Sequence, residues 1–336
     1  MLLSRMKIRE PDRMVNRLDE TIRDMLHHAS QVLIVSHIRP DGDAIGSLLG
    51  LGLALEKSGK EVQMVLSDSV PANFRHLKGS EKVRTRAEAG FDLSVVLDCS
   101  DISRTGEALK TSKEDDYLTP DLNIDHHITN LNFARVNLVE TTAVATSEVI
   151  ARHLRAWDLP LNHAIATALL NGIITDTIGF RTSNVTPGAM RIVADLMEAG
   201  ADLPYLYNEA LLQRSFQAAR FWGVGLTSLK RDGPLIWTAL SQQDRHSVEY
   251  PGRDDADLVN ILSSIDDAAI AVVFVEQPNG KVKISWRAQP GLDVAQIALR
   301  FGGGGHQAAS GAEIAGTLEE VQEKVLKATR ELLSGP

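Results

Sequence analysis

Cysteine is nearly absent: Cys99 stands alone among 336 residues. A lone thiol closes no disulfide within the chain and builds no thiolate zinc cluster. Long apolar runs are missing too, and none approaches the roughly 18–20 residues of a membrane span. The amino-terminal MLLSRMKIREPDR has no sustained apolar core after its first charges. No signal peptide is therefore expected, and a cytoplasmic location is the default expectation. Positive charge is also in deficit: 35 Lys and Arg face 44 Asp and Glu, a formal net charge of −9 with no basic run. That balance argues against a track for long nucleic acid, which needs many Lys/Arg–phosphate contacts. It leaves room for a substrate with a few phosphates, because bound cations supply positive charge locally. Internal repeats and low-complexity tracts are absent as well.

What remains is an ordinary soluble composition, 43% hydrophobic and 24% charged, at a length that predicts two domains. Met14, Leu18, Ile22 and Met25 mark an amphipathic helix over 14–29. Apolar runs then predict strands at 31–35, 61–66, 93–97, 122–125 and 135–140, with helices at 44–58, 146–157, 161–175 and 187–199. The fold class is α/β, a doubly wound and mostly parallel sheet. The composition changes at LLQRSFQAARFW, read as a linker helix over 211–222 that separates a domain at 1–210 from a smaller α+β domain at 223–336. The latter has a strand at 234–241, a helix at 255–265, and two strands (269–276, 281–288) joined through Gln277-Pro278-Asn279-Gly280, a hairpin signal. A helix at 293–300, a loop FGGGGHQAASG at 301–311 and a helix at 317–333 follow.

The densest chemistry lies in SHIRPDGDAIGS, 36–47, directly after the first strand. His37, Asp41 and Asp43 arrive within seven residues; Pro40 forbids a helix interior, and Gly42 permits a tight turn between the aspartates, with the helix beginning around Ala44. Open α/β sheets carry their chemistry at such carboxyl ends of strands. Asp98, Asp125-His126-His127 and Asp176 supply further candidates, each at the end of an element. Four of these carboxylates, with His37 and one of the two adjacent histidines, suffice for two divalent ions sharing one carboxylate. A pair of ions about 3.5–4 Å apart can activate water and stabilise attacking and leaving oxygens at phosphorus.

These segments resemble a known family. SHIRPDGDAIGS, VVLDCSD, NIDHHITN and GIITDTIGF are similar to the four motifs of the DHH phosphoesterases, in order, and SWRA with FGGGGHQAASG resembles their DHH-associated C-terminal domain. The layout is most similar to the nano-RNA phosphodiesterase and pAp phosphatase branch; Arg104-Thr105-Gly106 keeps the usual continuation of the second motif. The resemblance implies His37, Asp41 and Asp98 on one metal and Asp43, Asp98, His126 and Asp176 on the other, with Asp98 as the bridge. It implies Asp125 as a residue orienting an imidazole, and His127 as the group that contacts the scissile phosphate and assists the leaving oxygen. It favours manganese, whereas the donor chemistry alone also permits magnesium, iron or cobalt. In the second domain it implies substrate contacts from Arg287, Gly303, Gly304, Gly305 and His306, glycine N–H groups letting a phosphate approach closely.

Other residues read as structural. His27 and His28 suit a helix C-terminus; His76, His153, His163 and His246 have no ligand partner at useful spacing. Cys99 reads as small and buried, and Glu114-Asp115-Asp116 as a solvated loop. The implied activity is two-metal hydrolysis of oligoribonucleotides of about 2–5 nucleotides and of 3′-phosphoadenosine 5′-phosphate, by an enzyme for which a homodimer is a candidate assembly, with the second domain gripping the far end of the substrate. A linear or cyclic dinucleotide phosphodiesterase uses the same chemistry. A catalytically silent nucleotide sensor is the alternative from another class, and the full ligand set argues against it. A RecJ-type exonuclease needs a larger chain and a basic channel, and the glycine loop with Arg287 and His306 argues against a soluble pyrophosphatase.

Overall fold

Val32–Val35 and Leu93–Leu97, apolar at nearly every position, lie side by side as fully buried strands in the computed structural model of the chain. The structure describes residues 13–111 and 116–334, so Glu114 and Asp115 lie outside the described residues, as does the Met14 side chain. The chain divides between Gln213 and Arg214 into two units.

In the first unit, α1 (Arg13–His28) precedes β1 (Gln31–Val35), α2 (Gly42–Lys57), β2 (Glu61–Val65), β3 (Leu93–Leu97), β4 (Leu122–Asp125) and β5 (Val136–Val139). Helices α3 (Thr146–His153), α4 (His163–Asp176), α5 (Pro187–Glu198) and α6 (Leu203–Tyr207) complete it. The sheet has the order β2-β1-β3-β4-β5 and is parallel at every pairing. Alternation decides the two faces: Val32 and Ile34 pack into the large core with the helices, while Leu33 and Val35 join Val65, Val96 and Cys99 on the other side. That second face is covered by loop residues such as Ala108, Leu109 and Phe91, and the β2–β3 connection carries only short 3₁₀ turns.

The first difference from the sequence reading is at Gly42. It turns no corner; it is the first residue of α2, with Asp41 as N-cap. Its role is proximity: a Cβ there would meet the Thr175 side chain at 2.3 Å. Gly46 and Gly50 follow at four-residue spacing, where a Cβ would meet Ala168 O at 2.6 Å and Leu169 Cδ2 at 2.3 Å. One glycine stripe of α2 therefore lies directly on α4, closer than ridges of larger side chains allow. This contact brings Asp176, the last residue of α4, beside the start of α2. The 146–157 helix ends early, at His153, and continues as turns.

The expected linker helix at 211–222 is corrected. Asn208–Leu212 is a π-helical turn, the chain breaks at 213–215, and α7 (Phe216–Thr227) opens the second unit with Ser215 as its cap. Phe221 of α7 is fully buried in that unit's core. Then come β6 (Lys230–Asp232), β7 (Leu235–Leu240), α8 (Gln242–Ser247), α9 (Leu258–Leu262), β8 (Ile270–Glu276), β9 (Lys281–Ala288), α10 (Ala295–Arg300), β10 (Gly304–His306), β11 (Ala309–Ala315) and α11 (Leu318–Ser334). They build a mixed sheet of order β10-β11-β9-β8-β7-β6. The turn at 277–280 closes as expected, with Gln277 N donating to Lys281 O and Gly280 at φ 72. The 301–311 stretch is corrected too: its second half is the β10–β11 hairpin rather than an open loop.

Candidate active site

Asp41 Oδ1 accepts from Asp43 N (3.1 Å) and Ala44 N (3.0 Å), starting α2, while its Oδ2 lies 3.8 Å from His37 Nε2. One carboxylate thus does two jobs, with one oxygen for the helix and the other for the site. His37 Nδ1–H donates to Ile38 O (2.9 Å), which leaves Nε2 as the lone-pair nitrogen. That nitrogen lies 3.6 Å from Asp98 Oδ2. Asp98 follows β3 in the left-handed region, at φ 54, a conformation that Asp tolerates better than most residues.

His126 Nδ1–H points to Ala143 O (3.3 Å), and its Nε2 faces Asp98 Oδ1 at 3.7 Å and Asp176 Oδ2 at 3.5 Å. Asp43 is buried, and its two oxygens accept from the backbone N–H groups of Thr146 (2.6 Å) and Ser147 (3.0 Å). Those are orphan donors at the start of α3, where Ala145 offers no side-chain cap. A residue of α2 therefore caps α3. His127 Nδ1 contacts Asp125 Oδ1 at 2.7 Å, and Asn130 donates to the other Asp125 oxygen at 2.6 Å.

The charges respond to this crowding. Burial pushes Asp43 up, and the Asp98 charge adds to it, to about 7. Burial also raises Asp176, with Asp43 and Asp41 as its acidic neighbours. For Asp98 burial opposes ionisation, yet His37, His127 and His126 outweigh it and hold the carboxyl well below the usual range. Burial works against protonation of those imidazoles, but the surrounding carboxylates raise all three.

Among the described residues, three groups have ligand atoms within 4.8 Å of one another: His37/Asp41/Asp98, Asp43/His126/Asp176 and Asp98/His126/His127. Asp98 is common to the first and the third, and His126 to the second and the third. The donors are carboxylate oxygens and imidazoles with no thiolate among them, a set that suits hard or borderline divalent ions. Cys99 is close in sequence but takes no part: its S–H donates to Asp101 O (3.0 Å), and burial pushes its thiol up to about 12.

In the second unit Arg287 of β9 pairs with Ala309 of β11, which in turn pairs with His306 of β10. The three share one cross-strand row, so Arg287 and His306 project from the same face of the sheet. Arg287 is half-buried, with Nε donating to Asn260 Oδ1 (2.8 Å), and desolvation lowers its guanidinium despite Asp255 and Asp257 nearby. The glycines divide. A Cβ on Gly303 would lie 2.2 Å from Gly311 O and one on Gly305 2.5 Å from Ala309 O, whereas Gly304 faces open space.

Sequence reasoning passed over Thr146, Ser147 and the role of Asn130. A Thr-Ser pair at a helix start was the available signal, but it reads as a cap for its own helix. His153 also needs correction. Rather than standing isolated, it lies between Asp19 (2.7 Å) and Glu140 (2.7 Å), stacked on Trp157. His163 contacts Gly200 O, and His76 packs edge-on to Tyr205.

Residues 31–173 match the DHH family, N-terminal domain, and residues 249–335 match the DHHA1 domain. The chain is 34% identical to the bifunctional oligoribonuclease and PAP phosphatase NrnA of Thermus thermophilus, over 90% of each chain. It is 30% identical to the protein of the same name from Mycoplasma genitalium, over 84% of this chain and 88% of the relative. A solved exopolyphosphatase-related protein from Bacteroides fragilis superposes with a TM-score of 0.85 at 25% identity, covering 95% of this chain and 98% of that one.

Proposed function

We infer the reaction from one premise: this chain belongs to the DHH phosphoesterase family. It is a phosphoester hydrolase. We assign it oligoribonucleotides of about 2–5 nucleotides, cleaved to mononucleotides, and 3′-phosphoadenosine 5′-phosphate, dephosphorylated to AMP. The names of its Thermus and Mycoplasma relatives support both substrates. The observation that carries the reading is Asp98, whose two oxygens face two different imidazoles, His37 and His126, each within a separate group of potential ligands.

His37, Asp41 and Asp98 would hold one divalent ion, and Asp43, Asp98, His126 and Asp176 the other, with manganese as the preferred metal. When bound, the pair supplies Lewis-acid activation of water and neutralises charge at phosphorus. Asp125 fixes the proton of His127 on Nδ1, so Nε2 is the nitrogen offered to the substrate. A proton held there passes to the leaving oxygen. Asn130 keeps Asp125 from turning away. Arg287, His306 and the N–H groups of Gly304 and Gly305 grip a phosphate of the substrate; the expected Gly303 donor drops out, because its N–H is already given to Ala298 O at 2.9 Å.

Parallel kinetics with Mn²⁺ on RNA of two, three, five and twenty nucleotides, on adenosine bisphosphate and on cyclic dinucleotides tests this. The expected result is efficient turnover of the short RNAs and the bisphosphate, with poor turnover of the twenty-mer. Few phosphates are gripped, so the dinucleotide rate should depend weakly on salt, well short of the slope of about −0.7 per phosphate contact compounded along a strand. Equal kcat/KM on the twenty-mer overturns the length preference. Absence of turnover on every substrate overturns the enzymatic reading in favour of a sensor.

A further inference from the structure

Thr146 is fully buried at the first position of α3 and touches two of the candidate ligands by two different groups. Its backbone N–H donates to Asp43 Oδ2 at 2.6 Å, and its hydroxyl donates to Asp98 Oδ1 at 3.0 Å. The first bond belongs to the helix start and survives almost any side chain. The second depends on the hydroxyl alone.

The hydroxyl matters because of what Asp98 has to do. A carboxylate shared between two groups must keep its plane fixed, with one oxygen for each; a free rotation would let it chelate on one side. Asp98 Oδ2 lies 3.6 Å from His37 Nε2, and Oδ1 lies 3.7 Å from His126 Nε2. The possible donors that face Asp98 in its ion pairs are the imidazoles of His37, His126 and His127, which would be committed elsewhere once ions are bound or Asp125 is engaged. Thr146 is the neutral donor that can stay on Oδ1 throughout, since a hydroxyl hydrogen bond uses one lone pair and leaves the other. Its branched side chain, packed in the core, has few rotamers in a helix, so the donor is held in place.

We propose that Thr146 is a positioning residue of the phosphoesterase reaction, whose hydroxyl orients Asp98 so that its two oxygens serve two different ions. The proposal rests on the two-metal reading above. Hydrogen bonds made to ligands from outside the coordination sphere typically govern metal affinity by about 10–100-fold.

The test uses the full chain, with Mn²⁺ alone as the probe, followed by calorimetry and low-temperature electron paramagnetic resonance. Thr146→Val keeps shape and the backbone bond to Asp43 but removes the donor; Thr146→Ser keeps the donor and loses the branch. Wild type should bind two ions and give an exchange-coupled signal. Thr146→Val should bind the second ion about tenfold or more weakly, with the coupled signal reduced at equal loading. Its kcat should fall while KM stays close to wild type, and Thr146→Ser should recover both signal and rate. If Val and Ser are equally impaired, packing rather than the hydroxyl is responsible and the proposal is wrong. If wild type gives the coupled pair and Thr146→Val is indistinguishable from it, Thr146 has no such role while the two-metal reading stands. A wild type that binds a single ion overturns the two-metal reading, and the role of Thr146 with it.

Discussion

Gly172 and Asp43 approach so closely that a methyl group on Gly172 would lie 2.6 Å from Asp43 Oδ1 and 2.0 Å from Ser147 Oγ. Alanine is the better helix former, by roughly 1 kcal/mol, but overpacking a buried contact costs about 1–3 kcal/mol. The clash should win. Gly172→Ala is expected to lower the Tm and to reduce kcat/KM by roughly 10–100-fold through a displaced ligand. Gly223→Ala, on the exposed side of α7 with nothing near its added methyl, should instead raise stability by about 0.5–1 kcal/mol. Thermal melts of both variants decide; a stabilised, fully active Gly172→Ala would show that the α2–α4 contact is looser than described.

Asp98→Ala should abolish turnover and remove the coupled metal pair. His163→Ala, which loses only a bond to Gly200 O on an exposed surface, should stay near wild type. Metal content and rate are measured on the same folded samples. Similar losses in both variants would refute the ligand assignment.

Asp125→Asn tests the tautomer of His127. Asp125 accepts from His126 N, His127 Nδ1 and Asn130 Nδ2, so an amide in its place must turn a donor toward a donor. Metal content should be retained, because Asp125 belongs to none of the ligand groups among the described residues. The expected loss in kcat is on the order of 10²–10⁴. Loss of metal instead would place Asp125 among the ligands.

His153 gives the first unit a pH dependence through a group outside the candidate ligands. Burial opposes its charge, but Glu140 and Asp19 on either side of the ring raise it above its ordinary value near 6.5. Burial likewise opposes the charge of Glu140, and His153 and Arg152 outweigh it and lower that carboxyl. A raised histidine stabilises fully below its unfolded pKa and loses the contribution as pH rises through the folded one; the lowered Glu140 loses its share as pH falls through its own. The Tm difference between wild type and His153→Gln should therefore be larger at pH 6 than at pH 9. An equal difference at both would mean that the ring packs without its charge mattering.

Gly304→Ala should leave stability and metal content unchanged while raising KM, since its methyl would enter open space where a phosphate is proposed to approach. Gly303→Ala should lower the Tm, because its methyl meets Gly311 O. Arg287→Ala should also raise KM and spare the metals. An unchanged KM in Gly304→Ala would remove the loop from the substrate site.

Much of this was legible because the informative signals are local. His37, Asp41 and Asp43 declare themselves within a few residues, and Pro278-Asn279-Gly280 announces a hairpin by turn chemistry alone. What escaped depends on distant partners or on residues with two meanings. Glycine reads as a turn, so Gly42, Gly46 and Gly50 concealed a helix contact whose other half, Gly172, is over a hundred residues on. His153 looks solitary because Asp19 is 134 residues away. Strand β11, ASGAEIA, is built from small residues whose alternation is too faint to mark a strand, and its pairing with Lys281–Arg287 supplies what the side chains do not.

The candidate ligands are drawn from the loop before α2, from α2 itself, from the ends of β3 and β4, and from the end of α4. No local fragment of the chain contains them all, so the cluster exists only when those elements have docked. Ion binding is then coupled to the cooperative folding of the whole first unit, and free metal stabilises that unit by mass action in proportion to its saturation. If the ions bind as proposed, a chelator should act as a mild denaturant of the unit that ends at Gln213. The second unit's own sheet and cores contain none of these ligands.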